Sequence, residues 1–237
     1  MKTRKRMKKA GTDRDVTIGA GGVALEGILN VPPGARGIVL FAHGSGSSRH
    51  SPRNRFVASV LQEAGIATLL FDLLTREEGV RDEVTRELRF DIRLLATRLV
   101  EATNWVVHGS STRKLAIGYF GASTGAAAAL IAAAKLPETV KAVVSRGGRP
   151  DLAGEMLTAV HAPTLLIVGE RDEPVIGMNR ESLARLAAHD SKLVIVAGAT
   201  HLFEEPGTLE EAARLAAEWF AEHLAPASKP SQDRRVA

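Results

Sequence analysis

Cysteine is absent from all 237 residues, which excludes disulfides, thiolate metal sites and a cysteine nucleophile together. With nothing for an oxidising compartment to act on, a cytoplasmic location is the expectation. Aromatic residues make up only 4% of the chain, with one tyrosine and two tryptophans, so a deep cleft built to stack an aryl group is not expected. No uninterrupted apolar run approaches 18 residues, the length a membrane-spanning helix requires; no membrane partner is expected. The opening residues carry charge with no apolar core behind it and do not read as a secretory signal.

What is present is ordinary globular stock, 45% hydrophobic and 24% charged, in a length that suits one sizeable domain. The net charge of +4 comes from the ends. Residues 1–9 hold six Lys/Arg and no acid, and residues 228–237 hold Lys229, Arg234 and Arg235 against Asp233. Removing those contributions of +6 and +2 leaves residues 10–227 at −4. The termini, 1–14 and 225–237, read as solvated tails around one domain at 15–224. A basic tail can attract nucleic acid, but a solvated appendage is the plainer reading, so no nucleic-acid partner is expected. No internal repeat is visible, and nothing bears on oligomeric state.

The chain then alternates. Val16–Ile18 and Val23–Asn30 flank a glycine turn and predict an antiparallel hairpin. Gly37–Ala42 is apolar throughout, as expected of a strand covered on both faces. A helix after Ser51-Pro52, with Phe56, Val57, Val60, Leu61 and Ala64 on one face, is followed by a strand at 66–72. Residues 73–86 read as a charged connection and are the one sizeable candidate for a lid. Further strands are expected at 140–145, 163–169 and 192–197. Helices are expected near 88–107, 152–160, 177–188 and 209–224. Strand–helix alternation after a hairpin predicts an α/β fold, a doubly wound, mostly parallel sheet. Ligands in such sheets bind at the carboxyl ends of the strands.

One of those ends is distinctive. A β-prone run closes in Gly121-Ala122-Ser123-Thr124-Gly125, and an alanine-rich helical run begins at once. A strand–GxSxG–helix unit exposes its serine on a sharp turn above the sheet. The alternative is a glycine-flanked turn whose serine merely caps a helix. Two later strand ends supply complementary chemistry: Glu170, Asp172 and Glu173 follow one, and His201 follows the last. The order Ser123…Asp172…His201 fits a nucleophile, an acid and a base, because serine attacks only when an imidazole takes its proton and a carboxylate orients that imidazole. Gly169-x-x-Asp172 spacing favours Asp172, with Glu170 and Glu173 as competitors. The segment His43-Gly44-Ser45-Gly46 follows the third strand; taken alone, it reads as a glycine-serine surface loop. Gly44-x-Gly46 is not a dinucleotide fingerprint, since Arg49 stands where the third glycine belongs.

On these motifs the chain resembles the α/β-hydrolase superfamily, and most of all its small, capless dienelactone hydrolase-like branch, over residues 15–224. The resemblance implies Ser123 as nucleophile, Asp172 as acid, His201 as base, Ser45 and Thr124 as oxyanion donors, no metal and no cofactor. It implies hydrolysis of a small-molecule carboxylic ester, or a lactone, through an acyl-enzyme. The chain departs from dienelactone hydrolases proper, which use a cysteine nucleophile and a glutamate on the loop that here reads His43-Gly44-Ser45, so a serine esterase is the expectation. Acyl transfer on the same residues and a non-catalytic module of the same fold are the alternatives. Arg146 ends the strand at 140–145, where it would either bind an anionic substrate group or form a structural salt bridge to Asp151 or Glu155.

Overall fold

The computed structural model describes residues 11–225. Eight strands form one sheet in the order β1 (Arg14–Ala20), β2 (Val23–Asn30), β4 (Ala67–Phe71), β3 (Gly37–Ala42), β5 (Ala116–Ala122), β6 (Val140–Arg146), β7 (Thr164–Gly169), β8 (Lys192–Val196). Only β2 runs against its neighbours; from β4 to β8 every pairing is parallel. Ala20 pairs with Val23 across Gly21 and Gly22, both at positive φ, the backbone a two-residue hairpin turn demands.

Order begins earlier than the sequence suggested. β1 starts at Arg14, and the Asn30 side-chain amide donates to Gly11 O at 3.0 Å and to Asp13 Oδ1 at 2.7 Å, tying residues 11–13 to the end of β2. The rest of the two expected tails, 1–10 and 226–237, lies outside the described residues.

The helices cover both faces. α3 (Ile92–His108) and α4 (Thr124–Lys135) pack on one side of the sheet around Leu99, Tyr119 and Leu130. α1 (Pro52–Glu63) and α6 (Thr208–His223) pack on the other around Phe41, Phe120 and Trp219. α4 is buried along most of its length, and its alanines let the helix lie close to the sheet. Among the described residues no cap domain is inserted; β6 leads through a kinked 3₁₀ segment at Pro150–Ala159 to β7. Among the described residues no helix is long and apolar enough to cross a membrane.

Two elements differ from the expected pattern. Residues 73–86, read as a connection, contain α2 (Arg76–Thr85), started by a reciprocal capping box between Thr75 and Glu78 and stopped at Arg86 in the left-handed conformation. Its polarity is inverted: Asp82 is buried while Val80 and Val84 face solvent. Hence it shows no apolar stripe. α5 spans Glu173–Leu183 rather than 177–188, because Asp172 takes the N-cap position and Pro174 sits in the first turn, where its missing N–H costs nothing.

Candidate active site

Ser123 stands between β5 and α4 with φ 50° and ψ −124°. That backbone is strained for a residue with a Cβ, by roughly 1–3 kcal/mol, and surrounding contacts hold it. The Ser123 amide donates to Arg146 O at 3.4 Å, while its carbonyl accepts from the amides of Ala126 and Arg149, both at 3.1 Å. The flanking glycines are required by close approach. A Cβ on Gly125 would lie 2.1 Å from Ala42 O, and one on Gly121 would lie 2.4 Å from Ala126 Cα. The serine side chain makes no capping bond to α4, so capping is not its role in this structure.

His201 and Asp172 meet at the ends of β8 and β7. His201 Nδ1 lies 2.6 Å from Asp172 Oδ2. A carboxylate oxygen accepts, so the contact calls for the proton on Nδ1, which in the neutral imidazole leaves the lone pair on Nε2. Of the three candidate acids, Asp172 alone is hydrogen-bonded to His201; Glu170 Oε2 instead accepts the Gly198 amide at 2.8 Å, and Glu173 is exposed on the first turn of α5. The histidine backs onto the end of β6, where a Cβ on Gly147 would fall 2.9 Å from His201 O and 3.6 Å from its ring. Among the described residues no hydrogen bond to Ser123 Oγ is formed. The structure therefore pairs an imidazole with a carboxylate at the ends of β8 and β7, and Ser123 stands at the end of β5, with β6 between β5 and β7.

The loop after β3 closes the other side. Gly44 abuts Ser123 Cβ, and the Ser45 amide donates to Thr124 Oγ1 at 3.0 Å. The two residues expected to share an oxyanion are thus brought together, but the Ser45 donor is occupied by the threonine hydroxyl. His43 fixes this loop from beneath. Its Nδ1 faces Gly44 O at 2.9 Å and its Nε2 accepts the Leu73 amide at 3.1 Å, which makes it the neutral Nδ1–H tautomer. Burial pushes its pKa down, against the opposing pull of the Gly44 carbonyl and Asp72.

Beyond Ser45 opens a cavity of about 1130 Å³ beneath α2 and the hairpin. Its walls mix polar side chains, among them Ser45, Arg49, Asp72, Thr75, Asp82 and Arg89, with the apolar Val23, Ala24, Leu74 and Leu95. Arg49 bridges Asp72 and Glu26, and Arg89 Nε holds Asp82 at 2.5 Å. Sequence reasoning missed this wall, although Asp72 ends a strand on the same edge as Ser123 and could have marked it. It also missed the Arg149 amide on Ser123 O.

Arg146 is placed apart from that cavity. Its side chain is 7% exposed, and its guanidinium lies 5.9 Å from the ring centroids of both Phe120 and Phe203. Neither acid named for a salt bridge reaches it: Asp151 pairs with Arg149 and Glu155 with Arg185.

Residues 25–227 match the model of the dienelactone hydrolase family. The chain belongs to that family. A dienelactone hydrolase from Anabaena variabilis is 60% identical, with a TM-score of 0.90 over 92% of this chain and all of that one. Est1E from Butyrivibrio proteoclasticus shares the fold at 16% identity, TM-score 0.75, over 90% of this chain and 99% of its own. So does the dienelactone hydrolase-like promiscuous phosphotriesterase P91 from metagenomic libraries, at 16% identity and TM-score 0.74, over 92% of this chain and 100% of its own. A Mycobacterium tuberculosis protein described provisionally as a phosphoribosyl transferase is 58% identical over 212 residues. Those residues are 90% of this chain and 47% of that protein, so the chain spans about half the length of its mycobacterial relative.

Proposed function

We propose that this member of the dienelactone hydrolase family is a serine hydrolase of small, polar carboxylic esters or lactones. The observation that carries the reading is the 2.6 Å contact between His201 Nδ1 and Asp172 Oδ2, at the same edge of the sheet as a serine held in a strained backbone conformation. In this mechanism Ser123 Oγ attacks the ester carbonyl while His201 Nε2 takes its proton. Asp172 stabilises the imidazolium without itself becoming protonated. The oxyanion of the tetrahedral intermediate accepts from the Thr124 amide at the head of α4 and from the Ser45 amide, whose present acceptor, Thr124 Oγ1, rotates aside. His201 then returns the proton to the departing alkoxide, and the same base activates water to free the acid from Ser123.

The ion pairs in the wall beside Ser45, Arg49 with Asp72 and Glu26 and Arg89 with Asp82, argue against long acyl chains, because a hydrocarbon laid over them would strip their remaining contact with water. A panel of p-nitrophenyl esters of rising acyl length tests the reading. Acetate and butyrate should be cleaved, laurate should be far slower, and Ser123→Ala should lose about a thousandfold or more of kcat/KM. Equal rates for Ser123→Ala and the parent protein would end it.

A further inference from the structure

Arg146 is a buried charge without a counter-charge. Asp82, equally buried, receives the Arg89 side chain and two backbone amides, and Arg98 donates to Glu78 and to Ala20 O. Arg146 Nε and Nη1 are fully enclosed with no hydrogen-bond partner, and among the described residues no carboxylate pairs with this side chain. Its two ring neighbours, each 5.9 Å away, stand at the outer edge of cation–π range. They return less than the burial of a guanidinium costs. The charge that acts on it is Arg53, which repels; with burial as the larger cause, this lowers the Arg146 pKa to about 10.

The surroundings indicate where a counter-charge would enter. Arg53 lies in the first turn of α1, which carries no acid. Its Nη1 is 3.1 Å from Glu204 Oε1, in the segment that follows His201. Glu204 is 63% exposed, so the carboxylate now on Arg53 is readily displaced. Phe203, stacked beside Arg146, lies two residues from the base and is held at φ 56°. Arg146 thus feels a second positive charge, Arg53, whose one exposed carboxylate, Glu204, does not reach Arg146.

We propose that Arg146 and Arg53 form an anion subsite beside the His201 segment, taking a small oxyanion that displaces Glu204 and supplies the charge Arg146 lacks. The oxyanion is either a carboxylate carried by the ester or free inorganic phosphate. The first source rests on the hydrolase reading and the second does not.

Two arms separate them. In the binding arm, inorganic phosphate is titrated into full-length Ser123→Ala protein, followed by thermal denaturation against chloride at matched ionic strength. Phosphate should raise Tm, and adding Arg146→Met or Arg53→Met should weaken its apparent affinity tenfold or more. Arg53 is half-exposed, so its variant keeps the test available if Arg146→Met fails to fold. In the kinetic arm, kcat/KM for mono-p-nitrophenyl succinate is divided by that for p-nitrophenyl acetate. A tenfold or greater fall of this ratio in either variant identifies a substrate-borne carboxylate. Phosphate binding that depends on these arginines, with an unchanged ratio, identifies a free anion and still supports the subsite. If neither variant alters phosphate stabilisation and neither alters the ratio, the subsite is overturned. Arginine-dependent phosphate binding in a protein that cleaves no ester would sink the hydrolase reading and leave the subsite standing.

Discussion

The amide of Ser45 donates to Thr124 Oγ1 at 3.0 Å across 79 residues of chain. This single bond joins the loop after β3 to the head of α4, the two segments between which an oxyanion would form. It also means that one of the two proposed donors must be released before it can serve. Replacing Thr124 by valine keeps the branched shape and removes the acceptor. The resting Ser45 amide then lacks a partner, so the variant should lose roughly 1–3 kcal/mol of stability. Its kcat should hold or rise, because the amide is free for the intermediate. A loss of kcat of a hundredfold with unchanged stability would show that the hydroxyl itself takes part in the reaction.

Asp172 is the carboxylate hydrogen-bonded to His201, and the proposed mechanism gives it the role of the acid. Asp172→Asn should therefore fold and lower kcat by up to about 10⁴-fold, through the wrong tautomer at His201. Glu170→Gln should leave kcat nearly unchanged, since Glu170 Oε2 serves the Gly198 amide. The reverse ranking in steady-state kinetics would reassign the acid.

His43 gives the fold a pH dependence of known sign. Burial lowers its pKa in the folded chain from the 6.5 of an ordinary histidine, so on acidification the unfolded chain takes up a proton that the folded one refuses. The stability this neutral histidine contributes is fully present above pH 6.5 and is lost as pH falls below it toward the folded value. His43→Gln should flatten the dependence of unfolding free energy on pH between 6.5 and 5.5 by up to about 1.4 kcal/mol per pH unit. Denaturant titrations at a series of pH values measure this. Parallel pH curves for the two proteins would mean that His43 is protonated in place.

The parts of the molecule that were legible in sequence are those whose chemistry is local. The elbow is a run of five residues, and its glycines are forced by contacts with Ala42 and Ala126 that any strand–turn–helix of this tightness must make. The pairing of Asp172 with His201 was legible because both follow strands of one parallel sheet, whose carboxyl-end loops lie together. α2 escaped because its folding signal lies in a capping box and an internal ion pair, with its valines turned outward. The surroundings of Arg146 escaped for another reason. Asp151 is taken by Arg149 two residues before it, and that competition is settled in space rather than by spacing. The Thr124 hydroxyl on Ser45 was equally hidden, since no pattern in either segment foretells which side chain reaches the other.

The most direct test of the account is covalent labelling of Ser123. Full-length protein treated with a fluorophosphonate and digested should yield one modified peptide, the one containing Gly121-Ala122-Ser123-Thr124-Gly125. His201→Ala should slow the labelling by orders of magnitude. A label on a different serine, or no label on folded protein that retains its native melting transition, would contradict the assignment of Ser123 as the nucleophile.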